Sequence, residues 1–281
     1  MAGTLYIVAT PIGNLNDMTP RAAATFGSVD FIAAEDTRVT LKLLNHLGLK
    51  KPLVSYYEHN LKEKGQYILD RIAAGESCAL CSDAGMPAIS DPGEVIVRDA
   101  LEQGIPVVPV PAASACVTAL AVSGQDTTRF VFEGFLPVPT KLRRERLESL
   151  RYEVRTMIFY EAPHKLKGTL SDMQKVFGDE RSITLTRELT KLHEEIKKTT
   201  LGEAIAYYQE NDPRGEYVLV VAGGEPAPQE QQALTLEEAA ENAKQLMKEG
   251  VPPSAAAKQA AQGTEFSKSQ VYRLLIKEDE E

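Results

Sequence analysis

Cys81-Ser82-Asp83-Ala84-Gly85-Met86-Pro87-Ala88-Ile89-Ser90-Asp91-Pro92-Gly93 carries an apolar strand into a glycine- and proline-punctuated loop bounded by two carboxylates. The apolar run before it, Cys78-Ala79-Leu80, suits a buried parallel strand over 78–82, and Asp91-Pro92 predicts an N-cap followed by proline at the first helical position. The loop therefore sits at the carboxyl end of a strand, the place where open α/β sheets bind ligands. Gly85 would let the backbone approach a small molecule, while Pro87 and Pro92 restrict the loop beforehand. Plain strand-to-helix connections use the same turn residues, so the rest of the chain has to decide between a cradle and a connector.

Upstream, strand and helix alternate: a strand at Leu5–Ala9, a helix from Thr19-Pro20, a strand at Phe31–Ala34 and a helix after Thr37 that stops at Gly48. A further helix opens at Asn60, with Glu63 completing a capping box, and ends near Gly75. Downstream come a helix through Val95–Leu101 and a strand at Val107–Val110, so residues 1–113 read as one open, largely parallel α/β lobe. After a helix around Ser114–Ala121, strands at Phe130–Phe135, Thr156–Tyr160, Ser182–Arg187 and Glu216–Ala222 define a second α/β lobe over 114–224. Its helices follow Lys141, Pro163 and Gly202. Two lobes imply a cleft between them, a preferred ligand site.

Residues 224–232 have the composition of an exposed joint, and 234–281 read as a small C-terminal helical segment. Its helices, Leu234–Glu249, one from Pro253 to Gly263 and one capped by Ser267, resemble a helix-turn-helix, with an acidic end at 278–281 expected to be disordered. The predicted architecture is thus α/β, two lobes with a cleft between them, plus three short helices.

With 281 residues, 43% of them hydrophobic, the chain can bury a sizeable core. No apolar run approaches the ~20 residues that cross a bilayer, and the N-terminus lacks signal-peptide character, so no membrane association and a cytoplasmic location are expected. Cys78 and Cys81 lie three apart along a predicted strand and so face opposite ways, which disfavours redox or zinc chemistry. His46, His59, His164 and His193 show no metal-ligand spacing, and no metal is predicted. The net charge of −9 argues against coating nucleic acid by electrostatics, yet Lys141-Leu142-Arg143-Arg144-Glu145-Arg146, followed by Arg151 and Arg155, gathers cations locally.

Several separated blocks carry a resemblance: Leu5–Leu15, Ala34-Glu35-Asp36-Thr37-Arg38, Ser82–Gly93, Glu133–Pro137, Phe159–Lys165 and Arg187–Lys191. Together, in this order and over nearly the whole chain, they resemble the bacterial ribosomal small-subunit RNA 2′-O-methyltransferases of the tetrapyrrole-methylase superfamily (class III methyltransferases). The chain departs from that pattern at Ala112-Ala113, where Gly-Pro is common, and at Met86, where threonine often stands. The resemblance implies two α/β lobes with S-adenosylmethionine (SAM) between them, no metal and a homodimer. It further implies methyl transfer to the ribose 2′-hydroxyl of a cytidine in small-subunit (16S) ribosomal RNA, near the decoding centre.

On that resemblance the cofactor contacts are Asp83, Ala84, Gly85, Met86, Pro87, Ile89, Ser114, Ala115, Tyr160, Glu161, Ala162 and Leu189. A ribose hydroxyl is a poor acid, so transfer gains from a proton acceptor or from a cation beside the developing alkoxide. Glu35, Asp36, Glu161, Glu188 and His164 are candidate acceptors, and Arg38, Lys165, Arg187 and Lys191 candidate cations. Glu161 with Arg38 is the favoured catalytic pair, because each lies beside a strand end in a different lobe. Arg143, Arg144 and Lys165 are the expected RNA contacts. Two other readings stay open: a superfamily methyltransferase acting on a tetrapyrrole or a modified histidine, and a non-enzymatic helix-turn-helix regulator.

Overall fold

A computed structural model of the chain describes residues 2–226, 234–262, 264 and 266–277. Residues Met1–Glu225 form one compact unit and Pro226–Glu281 another.

The first unit begins with β1 (Leu5–Val8), α1 (Pro20–Ser28), β2 (Phe31–Ala34), α2 (Thr37–His46), β3 (Leu53–Ser55), α3 (Leu61–Ala73), β4 (Cys78–Cys81), α4 (Gly93–Glu102) and β5 (Val107–Val110). The strands make an all-parallel sheet in the order β3-β2-β4-β1-β5. Successive side chains alternate between its faces. Leu5, Ile7, Phe31, Ala33, Cys78 and Leu80 pack on α3 and α4 through Ile68, Ile72 and Ile96, while Val8, Ile32, Ala34, Ala79 and Cys81 pack on α1 and α2 through Phe26, Leu43 and Leu44. Cys78 and Cys81 accordingly lie on opposite faces, and burial raises both thiols, Cys81 to about 12.

This helix placement opens the cleft. β4 passes the chain to α4 on one face, whereas its neighbours β1 and β2 pass theirs to α1 and α2 on the other. The connections diverge at the strands' carboxyl ends and leave a crevice there.

The chain continues through α5 (Ala115–Val122), β6 (Phe130–Phe135), α6 (Thr140–Ser149), β7 (Thr156–Glu161), α7 (Pro163–Phe177), β8 (Ser182–Arg187), β9 (Glu195–Thr200), α8 (Leu201–Glu210) and β10 (Tyr217–Val221). The second sheet runs β6-β7-β10-β8-β9, antiparallel except for the β6–β7 pair. One face buries Met157, Phe159, Leu185 and Leu219 against Leu147, Leu170, Met173 and Leu201 of α6, α7 and α8. The other packs Ile158, Val218 and Val220 on Cys116, Ala119 and Leu120 of α5 and reaches Ile12 of the first lobe.

Several expectations are corrected. β3 and β9 were not foreseen. The helix after Asp91-Pro92 starts at Gly93 with Pro92 at the cap position, so the Asp91 carboxylate, rather than capping a Pro92 first turn, accepts from the N–H groups of Ala88 and Gly93 at 2.9 and 2.7 Å. Asn60 makes no side-chain cap for α3; its carboxamide closes the preceding turn on the Tyr57 N–H at 2.9 Å.

In the second unit, α9 (Leu236–Lys248), α10 (Pro253–Ala260) and α11 (Lys268–Lys277) pack through Ala239, Ala243, Ala256, Ala257, Val271 and Leu275. Thr235 and Glu238 form a capping box at the start of α9. Most of the expected joint at 224–232, the turn at Gly263 and the acidic end at 278–281 fall outside the described residues. Among the described residues no helix is long and apolar enough to cross a membrane.

Candidate active site

A cavity of about 590 Å³ lies in the first unit where the carboxyl ends of β1, β2 and β4 face the second sheet. That volume falls within the ~300–1,000 Å³ typical of small-molecule sites. Ile12, Glu35, Asp83 and Met86 line it from one lobe, and Phe135, Tyr160, Leu189 and Val218 from the other.

Backbone strain collects in the loops beside it. Ala88 and Ser90 after β4, and Glu188 and Thr190 after β8, all have φ between 52° and 67°, a region that disfavours residues with a Cβ. Each is held by its surroundings. Asp91 ties down the first loop, while the Thr190 N–H donates to Glu194 Oε2 at 2.6 Å and Thr190 Oγ1 accepts from the Asn14 N–H at 3.1 Å. The Asn14 bond joins the loop after β1 to the loop after β8, so each lobe positions the other's wall.

One wall is acidic. Glu35 is half-buried, and its carboxyl is raised above 4.5 by burial and then by the charges of Asp83, Asp91 and Asp36. Burial likewise raises Asp83, with Asp36 adding to it; Asp83 Oδ1 accepts from the Asp36 N–H at 3.1 Å. Asp36 itself is held at about 2 by hydrogen bonds from Arg38. On the opposite side Lys191 Nζ donates to Glu188 Oε1 at 2.9 Å and Glu216 Oε2 at 2.7 Å, and Glu188 is lowered chiefly by that lysine.

Tyr160 and Glu161 end β7 differently. The Tyr160 hydroxyl accepts from the Cys116 N–H at 3.1 Å, which ties α5 to the sheet, and burial raises the phenol to about 12. Glu161 is buried; Oε1 accepts from the Ala162 N–H at 2.8 Å and Oε2 from the Thr169 hydroxyl at 2.5 Å. Its carboxylate thus braces the first turns of α7.

Residues 4–205 match the family model for tetrapyrrole (corrin/porphyrin) methylases. The ribosomal RNA small subunit methyltransferase I of Synechocystis sp. is 48% identical over 274 residues, covering 98% of each chain. Its counterpart from Halalkalibacterium halodurans is 52% identical over 221 residues, 79% of this chain and 76% of that protein. The chain belongs to the ribosomal RNA small subunit methyltransferase I family. The crystal structure of the methyltransferase CobJ shares the fold, with a TM-score of 0.59 at 16% identity over 79% of this chain and 95% of CobJ. The protein is a methyltransferase of a superfamily that takes its methyl group from SAM.

Of the residues expected around this methyltransferase's cofactor, Asp83, Ala84, Gly85, Met86, Ile89, Ser114, Ala115, Tyr160, Glu161, Ala162 and Leu189 line the cavity, and buried Pro87 does not. Of the favoured catalytic pair, Glu161 lines it; Arg38 is not on the lining, its side chain 87% exposed and paired with Asp36 at 2.6 Å. Arg143, Arg144 and Lys165 also lie off the lining. Arg143 is turned inward: Arg143 and Arg144 both bind the Asp172 carboxylate, at 2.6 and 2.9 Å, with side chains 15% and 56% exposed. Arg146, Arg151 and Arg155 pair with Glu133, Glu148 and Glu153, so the basic run carries its own counter-charges. Phe135, Thr186, Glu216 and Val218 on the lining were missed; Phe135 lies in the Glu133–Pro137 block that carries the resemblance, whereas the other three are ordinary strand or turn residues until the second sheet is assembled.

Proposed function

We propose that this methyltransferase transfers a methyl group from SAM to the 2′-hydroxyl of a cytidine in small-subunit ribosomal RNA. The observation that carries the reading is the convergence of strand ends from both lobes on one cavity with an acidic wall, in a chain so similar to ribosomal RNA small subunit methyltransferases.

The cavity fits SAM by the chemistry of its walls. Glu35, Asp83 and Asp91 offer negative charge to a sulfonium, and Met86, Ile89, Leu189 and Val218 offer apolar surface to an adenine. When bound, SAM supplies an electrophilic methyl group. The protein's largest contribution is positioning, which can supply roughly 7–11 kcal/mol of barrier reduction when reacting atoms are held in line.

Among the candidate carboxylates, Glu35 is the best placed proton acceptor for the ribose hydroxyl. It lines the cavity, and its raised carboxyl is a stronger base than Asp36, held down by Arg38, or Glu188, held down by Lys191. Glu161, with both oxygens engaged, is a brace for the Ala162-Pro163-His164 wall. Arg38 and Arg144, each paired with one carboxylate but with side chains 87% and 56% exposed, and Lys165 are the cations we assign to RNA phosphates. Incubating the protein with labelled SAM and small subunits from methylation-deficient cells tests the reading. Labelled ribose supports it, and label confined to a tetrapyrrole or to protein refutes it.

A further inference from the structure

β6 contains one residue too many. Phe132 pairs with Ile158, but the next pairs are Gly134 with Phe159 and Phe135 with Tyr160, so Glu133 is bulged out of the ladder. In a regular strand residues 132 and 135 would point to opposite faces. The bulge brings both onto the face carrying Ile158 and Tyr160, and the Phe132 and Phe135 rings meet Tyr160 edge-on with centroids 5.0 and 5.5 Å away.

The distortion is clamped. Glu133, its side chain 7% exposed, is held by Arg146 through two hydrogen bonds of 2.7 and 2.9 Å. Gly134 takes φ +61°, and a Cβ there would come within 2.9 Å of Ser90 Oγ in the first lobe. The result is a phenyl ring that lines the cavity, rests on a tethered tyrosine and remains 58% exposed.

We propose that Phe135 is a positioning residue on which the base of the acceptor nucleotide, splayed from its RNA strand, stacks as its ribose enters the cleft. The inference rests on the RNA-methylating reading above. A ring that encloses a small cofactor would be expected to be buried, whereas an open ring at the cavity edge suits a group arriving on a polymer. Beyond Phe135 the chain runs through Leu136-Pro137-Val138-Pro139 straight into α6, which carries Arg144. The platform and a cation for the flanking phosphate thus share one short segment, the pairing that single-stranded nucleic-acid sites use.

The test is a set of variants, Phe135→Ala, Phe135→Leu and Phe135→Trp, each assayed for KM and kcat on undermethylated small subunits and for S-adenosylhomocysteine affinity by calorimetry. Phe135→Ala and Phe135→Leu should raise the subunit KM roughly tenfold or more, while Phe135→Trp stays within about twofold of the parent. Homocysteine-nucleoside affinity should stay within about twofold throughout, which also reports that each variant is folded. An unchanged KM in Phe135→Ala, full activity in Phe135→Leu, or cofactor affinity falling in step with KM would overturn the platform. Absence of RNA methylation by the parent protein would instead overturn the underlying functional reading.

Discussion

Thr10 and Gly85 exchange two backbone hydrogen bonds, Thr10 N–H to Gly85 O at 2.9 Å and Gly85 N–H to Thr10 O at 3.1 Å, an antiparallel bridge beside an all-parallel sheet. The bridge joins the loops after β1 and β4, which set Ile12 and Met86 on the cavity wall. Both polar backbone groups of Gly85 are engaged by Thr10, and its φ of +81° is a conformation that glycine adopts without steric cost.

Gly85→Ala tests that relationship. The new Cβ would meet Ile12 Cγ2 at 3.4 Å and the Ala113 carbonyl at 3.7 Å, ordinary contacts, so the effect is conformational. A left-handed alanine costs about 1–2 kcal/mol. Urea unfolding should show that loss, and calorimetry a several-fold weaker affinity for S-adenosylhomocysteine. Parent-like stability would contradict the account of the bridge.

Thr169→Val removes the hydroxyl that donates to buried Glu161 Oε2. Leaving that oxygen without its partner should cost about 1–3 kcal/mol, and Thr169→Ser should restore most of it. If Thr169→Val is as stable as the parent, Glu161 is not the brace for α7 described here.

Arg143 and Arg144 are adjacent but should behave differently. Arg143→Ala strips both hydrogen bonds from Asp172 Oδ2, on a side chain only 3% exposed, and should lose about 1.5–3 kcal/mol in urea unfolding. Arg144→Ala, altering the more exposed side chain and leaving Lys175 on the same Asp172 oxygen, should cost less, about 1 kcal/mol or below. It should nevertheless weaken small-subunit binding and flatten its salt dependence. Equal stability losses in the two variants would remove the distinction.

How legible these features were depends on how far apart in sequence their causes lie. The short apolar runs of β1, β2 and β4 are buried throughout or nearly so, and their sequence alone announces them. β3 is three half-buried residues behind Pro52, and β9, Glu-Ile-Lys-Lys-Thr-Thr, is an edge strand with charged residues on both faces and Ile196 exposed, so both read as loop. The basic run looked free because its key counter-ion, Asp172, lies 28 and 29 residues further along. The Glu133 bulge depends on its register against β7, which no local pattern specifies.

The acidic wall predicts a pH dependence with a defined sign. Glu35 and Asp83 have raised carboxyls, so their contribution to stability is present below their ordinary values, 4.5 and 3.8, and is lost as pH rises through the raised ones. A cation between them favours the ionised forms and reverses the preference. The affinity of the sulfonium SAM relative to the neutral thioether S-adenosylhomocysteine should therefore rise with pH across the window above 4.5 and then level off. Glu35→Gln should flatten the rise. Parallel pH profiles for the two compounds in the parent protein would mean that these carboxylates do not face the sulfur.

The most direct test of the central claim is to map the methyl group. Small subunits from methylation-deficient cells, treated with the protein and SAM, should acquire one methyl per subunit, and alkaline hydrolysis of the RNA should stop at a single cytidine, as it does where a 2′-oxygen is blocked. A methyl on a base, alkaline cleavage unimpeded at every residue, or transfer to a tetrapyrrole while the RNA stays unlabelled would contradict it.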